Sequence, residues 1–130
     1  MEIQMKKIIL FLWQLPQNIL GFFLVFITRS KYANGCWRTK KPFTGISLGN
    51  FVILHMDDES DISLKHETGH QKQSLILGPN YLLIIGLPSL LGNIWDRIFH
   101  KKWDNLKREK WYYSQPWEKW ADKLGKVKRF

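Results

Sequence analysis

Residues 60–74 read SDISLKHETGHQKQS, and the rest of the chain is placed around them. Ser and Asp are good N-caps, so a helix is expected to begin near Ser60 to Ser63. It carries His66-Glu67-Thr68-Gly69-His70, an H-E-x-x-H pattern. Residues four apart leave the same face of a helix, so His66 and His70 can hold one Zn²⁺ between them. Glu67 leans towards the same water, can take its proton, and can pass it to a leaving amine. Zinc makes hydroxide accessible near neutral pH. With four His and five Glu in 130 residues, chance gives this pattern in roughly one of two hundred such chains. Taken alone, the motif is also compatible with a solvated helix bearing a charged face. Gly69 adds a hint. Glycine inside a helix costs about 1 kcal/mol relative to alanine, and close approach of another backbone is a reason to keep it. Gln73, one turn past His70, could bond substrate backbone or simply face solvent.

A catalytic zinc needs a third protein ligand. Residues 118–125 read EKWADKLG. Glu118 and Asp122 are also four apart, on a second helix that Gly125 would terminate. Glu118 can be the third ligand. Asp122 can accept the far N–H of a zinc-bound histidine and so fix its tautomer.

Beyond these motifs the chain is greasy and basic. Its 130 residues give room for one small domain. Apolar residues make up 45% and aromatics 15%, which excludes a disordered chain. Cys36 is the sole cysteine, which excludes a disulfide scaffold. Residues 8–28 hold no charged side chain and are about the length of a membrane helix. The run is interrupted by Gln14-Leu15-Pro16-Gln17-Asn18, so it reads as a broken transmembrane helix, an interfacial helix, or less well a signal peptide. A second apolar run, Leu75 to Leu91, is cut by Gly78-Pro79 and by Gly86-Leu87-Pro88; each break is expected to mark a helix end or turn. Lys31 to Lys41 reads as a loop, and Gly45 to His55 as a strand. Asp57 to Asp61 is a polar turn without the spacing of a calcium loop. His55 ends the strand and is a loop histidine sooner than a fourth ligand.

Of the formal net charge of +9, +6 lies in residues 96–130, and five of the seven Trp lie from Trp95 onward. Mixed aromatic and basic residues suit a membrane headgroup layer. They also suit single-stranded nucleic acid, but the two apolar runs make nucleic acid the less favoured partner.

The pattern HETGH, then EKWAD and LG, resembles the gluzincin zinc metallopeptidases, and most closely their integral-membrane, HtpX-like branch. The resemblance covers about a dozen residues. It implies His66, His70 and Glu118 as zinc ligands, Glu67 as general base and Asp122 as support behind a ligand. It also implies that the strand before the metal helix, with Gly49, Asn50, Phe51 and Val52, edges a cleft and pairs with substrate. His100, Tyr112 and Tyr113 are candidate transition-state donors by residue type. A broader likeness, through WQLPQN (13–18), SLGN (47–50), HETGHQKQS (66–74), LGPNYL (77–82) and GLPS (86–89), is to a small group of bacterial membrane-associated proteins. That group carries no activity to transfer.

The expectation is therefore an α+β fold, mostly helical. It has an N-terminal membrane helix over residues 1–30 and a compact zincin-like domain over 31–130. Within that domain, residues 75–95 form an apolar re-entrant or core segment. Both metal motifs must lie on one side of a membrane, so residues 75–91 are not expected to cross it. Basic flanks are expected to place the zinc domain on the cytoplasmic face, and the likeness to bacterial membrane-associated proteins implies a bacterial inner membrane. The expected function is zinc-dependent hydrolysis of a peptide or protein substrate at a lipid surface. The alternatives are a structural zinc without catalysis, or a metal-free basic module binding anionic lipid or nucleic acid.

Overall fold

The computed structural model describes every residue except Phe43, Thr44 and Phe130. The fold is α+β and mostly helical. Helices α1 (Glu2–Trp13) and α2 (Leu15–Ile27) are followed by strands β1 (Lys31–Ala33), β2 (Cys36–Thr39), β3 (Ile46–Leu48) and β4 (Phe51–His55). Then come α3 (Asp61–Leu77), α4 (Leu87–Phe99), α5 (Asn105–Tyr113) and α6 (Pro116–Leu124).

The first apolar run is not one helix. Pro16 lacks an N–H and sits in the first turn of α2, so the chain breaks at Gln14 and the two helices meet at 86°. The polar residues of that corner, costly in lipid, are not in lipid-facing positions. Gln14, Gln17 and Asn18 are all buried. Gln17 Nε2 donates to Ser74 Oγ and to the Gly78 carbonyl, both at 2.8 Å, and Ser74 Oγ donates to Gln14 Oε1 at 2.6 Å. Asn18 Oδ1 accepts the Asn50 N–H at 2.7 Å. The corner therefore ties both N-terminal helices to the end of α3 and to the β3–β4 turn.

The four strands form one mixed sheet in the order β1-β2-β4-β3. Lys31 to Lys41, read as a loop, contains the β1–β2 hairpin. Its turn is Asn34-Gly35, with φ of 52° and 86°, the left-handed pair that a two-residue hairpin needs. The single strand expected over Gly45 to His55 is likewise a hairpin, turned at Gly49-Asn50 with Gly49 at φ 63°. β4 lies inside the sheet, parallel to β2 and antiparallel to β3. Its Val52, Ile53 and Leu54 are consequently buried on both faces. Cys36, Val52, Leu54 and Leu64 form the core between sheet and α3.

The second apolar run behaves differently at its two breaks. Gly78 caps α3 with φ 57° and starts a short 3₁₀ turn, as the Gly-Pro signal predicts. Gly86-Leu87-Pro88 does not end a helix. A π-helical turn over Leu82–Gly86 runs straight into α4. The wider turn accommodates the missing N–H and ring of Pro88 without ending the helix. Leu82–Phe99 thus forms one 18-residue apolar helix, the one straight helix among the described residues long and apolar enough to cross a membrane. Large apolar side chains on α1, on α2 and on the Leu82–Phe99 helix face outward, among them Phe26 at 76% and Leu83 at 70% exposure.

Candidate metal centre

Two helices build the site, and two glycines let them touch. Ser60 caps α3, its hydroxyl accepting the Ser63 N–H. α6 begins at Pro116 and is capped by Gly125, the end that the sequence predicts. A Cβ at Gly69 would overlap the Ala121 carbonyl, and one at Gly125 would overlap the Lys65 carbonyl. These contacts advance along α3 as they retreat along α6, so the helices are antiparallel at backbone contact. Lys72 Nζ donates to the Leu124 carbonyl at 2.9 Å, and Gln73 Nε2 to the Trp117 carbonyl at 2.9 Å.

That crossing brings His66, His70 and Glu118 together. Their ligand atoms all lie within 4.8 Å of one another. Glu118 Oε2 is 3.0 Å from His66 Nε2 and 3.1 Å from His70 Nε2. All three residues are buried, Glu118 completely. Both Nδ1 atoms face outward from this cluster onto oxygen acceptors. Asp122 Oδ1 is 2.7 Å from His66 Nδ1, and Gln73 Oε1 is 2.6 Å from His70 Nδ1. With Nδ1–H donating, each Nε2 is left to bind a metal. Asp122 is itself held by Arg129, whose Nε donates to Oδ2 at 2.7 Å. Arg129 also lies over the Tyr113 ring, 3.5 Å from its centroid, and Tyr113 meets the His66 ring edge-on at 5.1 Å.

Behind Glu118 stands a second, unforeseen group. Ser89 Oγ donates to Glu118 Oε1, and lies 3.2 Å from Tyr112 Oη. Ser89 belongs to α4, so the apolar helix carries one of the contacts that orient the cluster. Glu67 occupies the adjacent position on α3. It is buried, and its Oε2 has no hydrogen-bond partner among the described residues. A Cβ at Gly45 would come within 2.9 Å of Glu67 Oε1, so Gly45, at φ 144°, keeps that space open.

The remaining expected residues lie elsewhere. Phe51 and Val52 are in the inner strand, with Gly49 and Asn50 in its turn. The outer strand beside α3 is β3, and its Ser47 carbonyl accepts the Tyr81 hydroxyl at 2.9 Å. His100 stands in a separate corner, bonded to Asp96 and stacked on Trp103 with centroids 3.7 Å apart. His55 accepts the Asp57 N–H at the end of β4.

The electrostatics follow from burial and pairing. Burial lowers the His66 pKa, but Asp122, Glu118 and Glu67 outweigh it and raise it to about 9. His70 rises too, because Glu118 and Glu67 outweigh its burial. Burial pushes Glu118 up, yet the two imidazoles hold it far below the carboxylate range. Glu67 is raised by burial, in spite of the nearby His70 and His66. Tyr113 is pushed by burial to about 12.

These shifts give a signed expectation. An imidazole raised above its ordinary 6.5 stabilises the fold fully below pH 6.5, and that stability is lost as pH rises through about 9. A metal reverses the sign, because it binds neutral imidazoles and competes with protons less as pH rises. Chelated protein should therefore melt at falling temperature from pH 6.5 to 9, while the zinc-saturated protein holds or gains. Parallel falls would place any bound zinc away from these histidines.

No family model matches the chain, and no match was found among the curated proteins or the solved structures.

Proposed function

We propose that the chain is a membrane-associated, zinc-dependent peptide hydrolase of gluzincin type. The observation that carries this is the convergence of His66, His70 and Glu118 with the partnerless carboxylate oxygen of Glu67. Two imidazoles and one carboxylate form a donor set that suits zinc. Zinc, when bound, supplies the Lewis acidity that polarises a carbonyl and acidifies water. His66, His70 and Glu118 hold it. Asp122 and Gln73 keep the two imidazoles in the Nδ1–H tautomer, and Ser89 fixes the carboxylate of Glu118. Glu67 takes the proton at Oε2 and delivers it to the leaving amine. The membrane part of the reading is supported by the many large apolar side chains that α1, α2 and α4 leave exposed, a pattern found at membrane and protein contact surfaces.

A structural zinc is the second reading, favoured by the complete burial of Glu118 and by the closeness of the helices that the site joins. Both readings need a metal at these residues. Zinc content measured on purified wild type and on His70→Ala tests that. About one zinc per chain is expected in the wild type and a small fraction of that in the variant. Equal content in the two would remove both readings.

A further inference from the structure

Where α2 ends, an open concavity of about 420 Å³ lies at the surface. Of the seven described residues that line it, five are cations, Arg29, Lys31, Arg38, Lys40 and Lys41, and none is a carboxylate. Arg38 is committed to the fold, its guanidinium donating to the carbonyls of Ala33, Asn34, His55 and Asp58. The other four are exposed and make no ion pair with a described residue.

The wall that carries them is fixed. Thr39 Oγ1 donates to the Thr28 carbonyl at 2.9 Å and accepts the Lys41 N–H at 3.1 Å, while the Thr39 carbonyl accepts the Met56 N–H at 2.8 Å. The end of α2, the end of β2 and the end of β4 are thereby pinned around one concavity. Four like charges gathered there repel one another unless an anion neutralises them.

The neighbouring surface has the opposite character. Phe26 and Ile27, 76% and 68% exposed, directly precede Thr28 and Arg29, and Phe22 and Phe23 are exposed one turn earlier. A ligand that satisfies both surfaces has a phosphate at one end and hydrocarbon at the other. We propose that this cavity binds the headgroup phosphate of an anionic phospholipid, with the acyl chains against the outward face of α2. Lys and Arg beside a membrane-facing helix end provide the attraction such a headgroup requires. The assignment rests on the membrane reading above and is independent of the metal.

The full chain in a neutral detergent tests it, with the thermal midpoint followed during separate titrations with phosphatidylglycerol, phosphatidylcholine and inorganic phosphate. Phosphatidylglycerol should raise the midpoint saturably, and phosphatidylcholine should not. In Arg29→Gln with Lys40→Gln, half-saturation should move to about tenfold higher lipid or more. In Lys101→Gln with Lys102→Gln, which removes the same charge elsewhere, it should stay where it is. Equal weakening in both double variants would mean diffuse attraction and would overturn the site. A full response to inorganic phosphate at the same concentration would overturn the lipid assignment. Flotation of the wild type with pure phosphatidylcholine vesicles tests the membrane reading separately. A chain that does not float yet still responds to phosphatidylglycerol in detergent would lose that reading and keep the cavity.

Discussion

Gly69→Ala should abolish zinc binding at the proposed site and remove much of the stability, although it adds one methyl group. The new Cβ would sit on the Ala121 carbonyl group and 3.1 Å from the Ala121 Cα. All of these are backbone atoms, so no rotamer change relieves the overlap. The helices must part. His66 and His70 ride on one of them and Glu118 on the other, and metal–ligand distances tolerate only about 0.2 Å of error. Overpacking of this kind costs about 1–3 kcal/mol, which for a chain of this size lowers the melting midpoint by several degrees. Gly92→Ala is the matched control. Gly92 also lies within a helix, but a Cβ there meets nothing within 4 Å. It should bind zinc like the wild type and melt at the same temperature or slightly above, since alanine is the better helix former. Zinc content and a melting curve for each variant decide the matter. If Gly69→Ala retains full zinc content, the helix crossing does not set the site.

What the sequence revealed about the site it revealed through local spacing. His66 with His70 and Glu118 with Asp122 are helix-periodic pairs, and a 3.6-residue period fixes which side chains share a face. Gly69 was legible for the same reason, as a costly residue in a helix that needed a purpose. Gln73 was within reach of the same logic. It lies three residues after His70, on the neighbouring turn, and a histidine whose Nε2 binds metal needs an acceptor at Nδ1. Ser89 and Arg129 were not legible. Each meets its partner through a fold-level approach, α4 against α6 and the C-terminal turn against α6, and no periodicity encodes that.

The sheet divides in the same way. Asn34-Gly35 and Gly49-Asn50 are two-residue turn signals, so both hairpins were readable locally. The parallel pairing of β2 with β4 was not, because it joins strands that other elements separate. That pairing is what moves Phe51 and Val52 inside the sheet and leaves β3 as the outer strand beside α3. The corner at Gln14 to Asn18 shows a further limit. Its polarity marked a cost in lipid, but composition could not show that the Ser74 hydroxyl and the Gly78 carbonyl would accept from Gln17 and that the Asn50 N–H would donate to Asn18.

Glu67→Gln separates a catalytic site from a structural one. The substitution keeps the size and shape of the side chain, so it fits the space that Gly45 leaves beside it. None of the three ligand atoms changes, and zinc content should equal that of the wild type. Glutamine cannot take up a proton at the position of Oε2, so hydrolysis of a peptide library should fall by about 10²- to 10⁴-fold, the usual contribution of a general base. Stability should move the other way. In the wild type Glu67 is buried, one oxygen has no partner among the described residues, and its pKa is raised. A carboxyl raised in the folded state costs stability at every pH above its ordinary value, because the unfolded chain can ionise it freely and the folded chain cannot. Glutamine removes that cost, and the variant should melt at the same temperature as the wild type or higher. A side chain that weakens the fold where it sits and is retained for its proton is the pattern of a working site. Should the variant keep the wild-type rate, Glu67 is no base, and the structural reading is the one that stands.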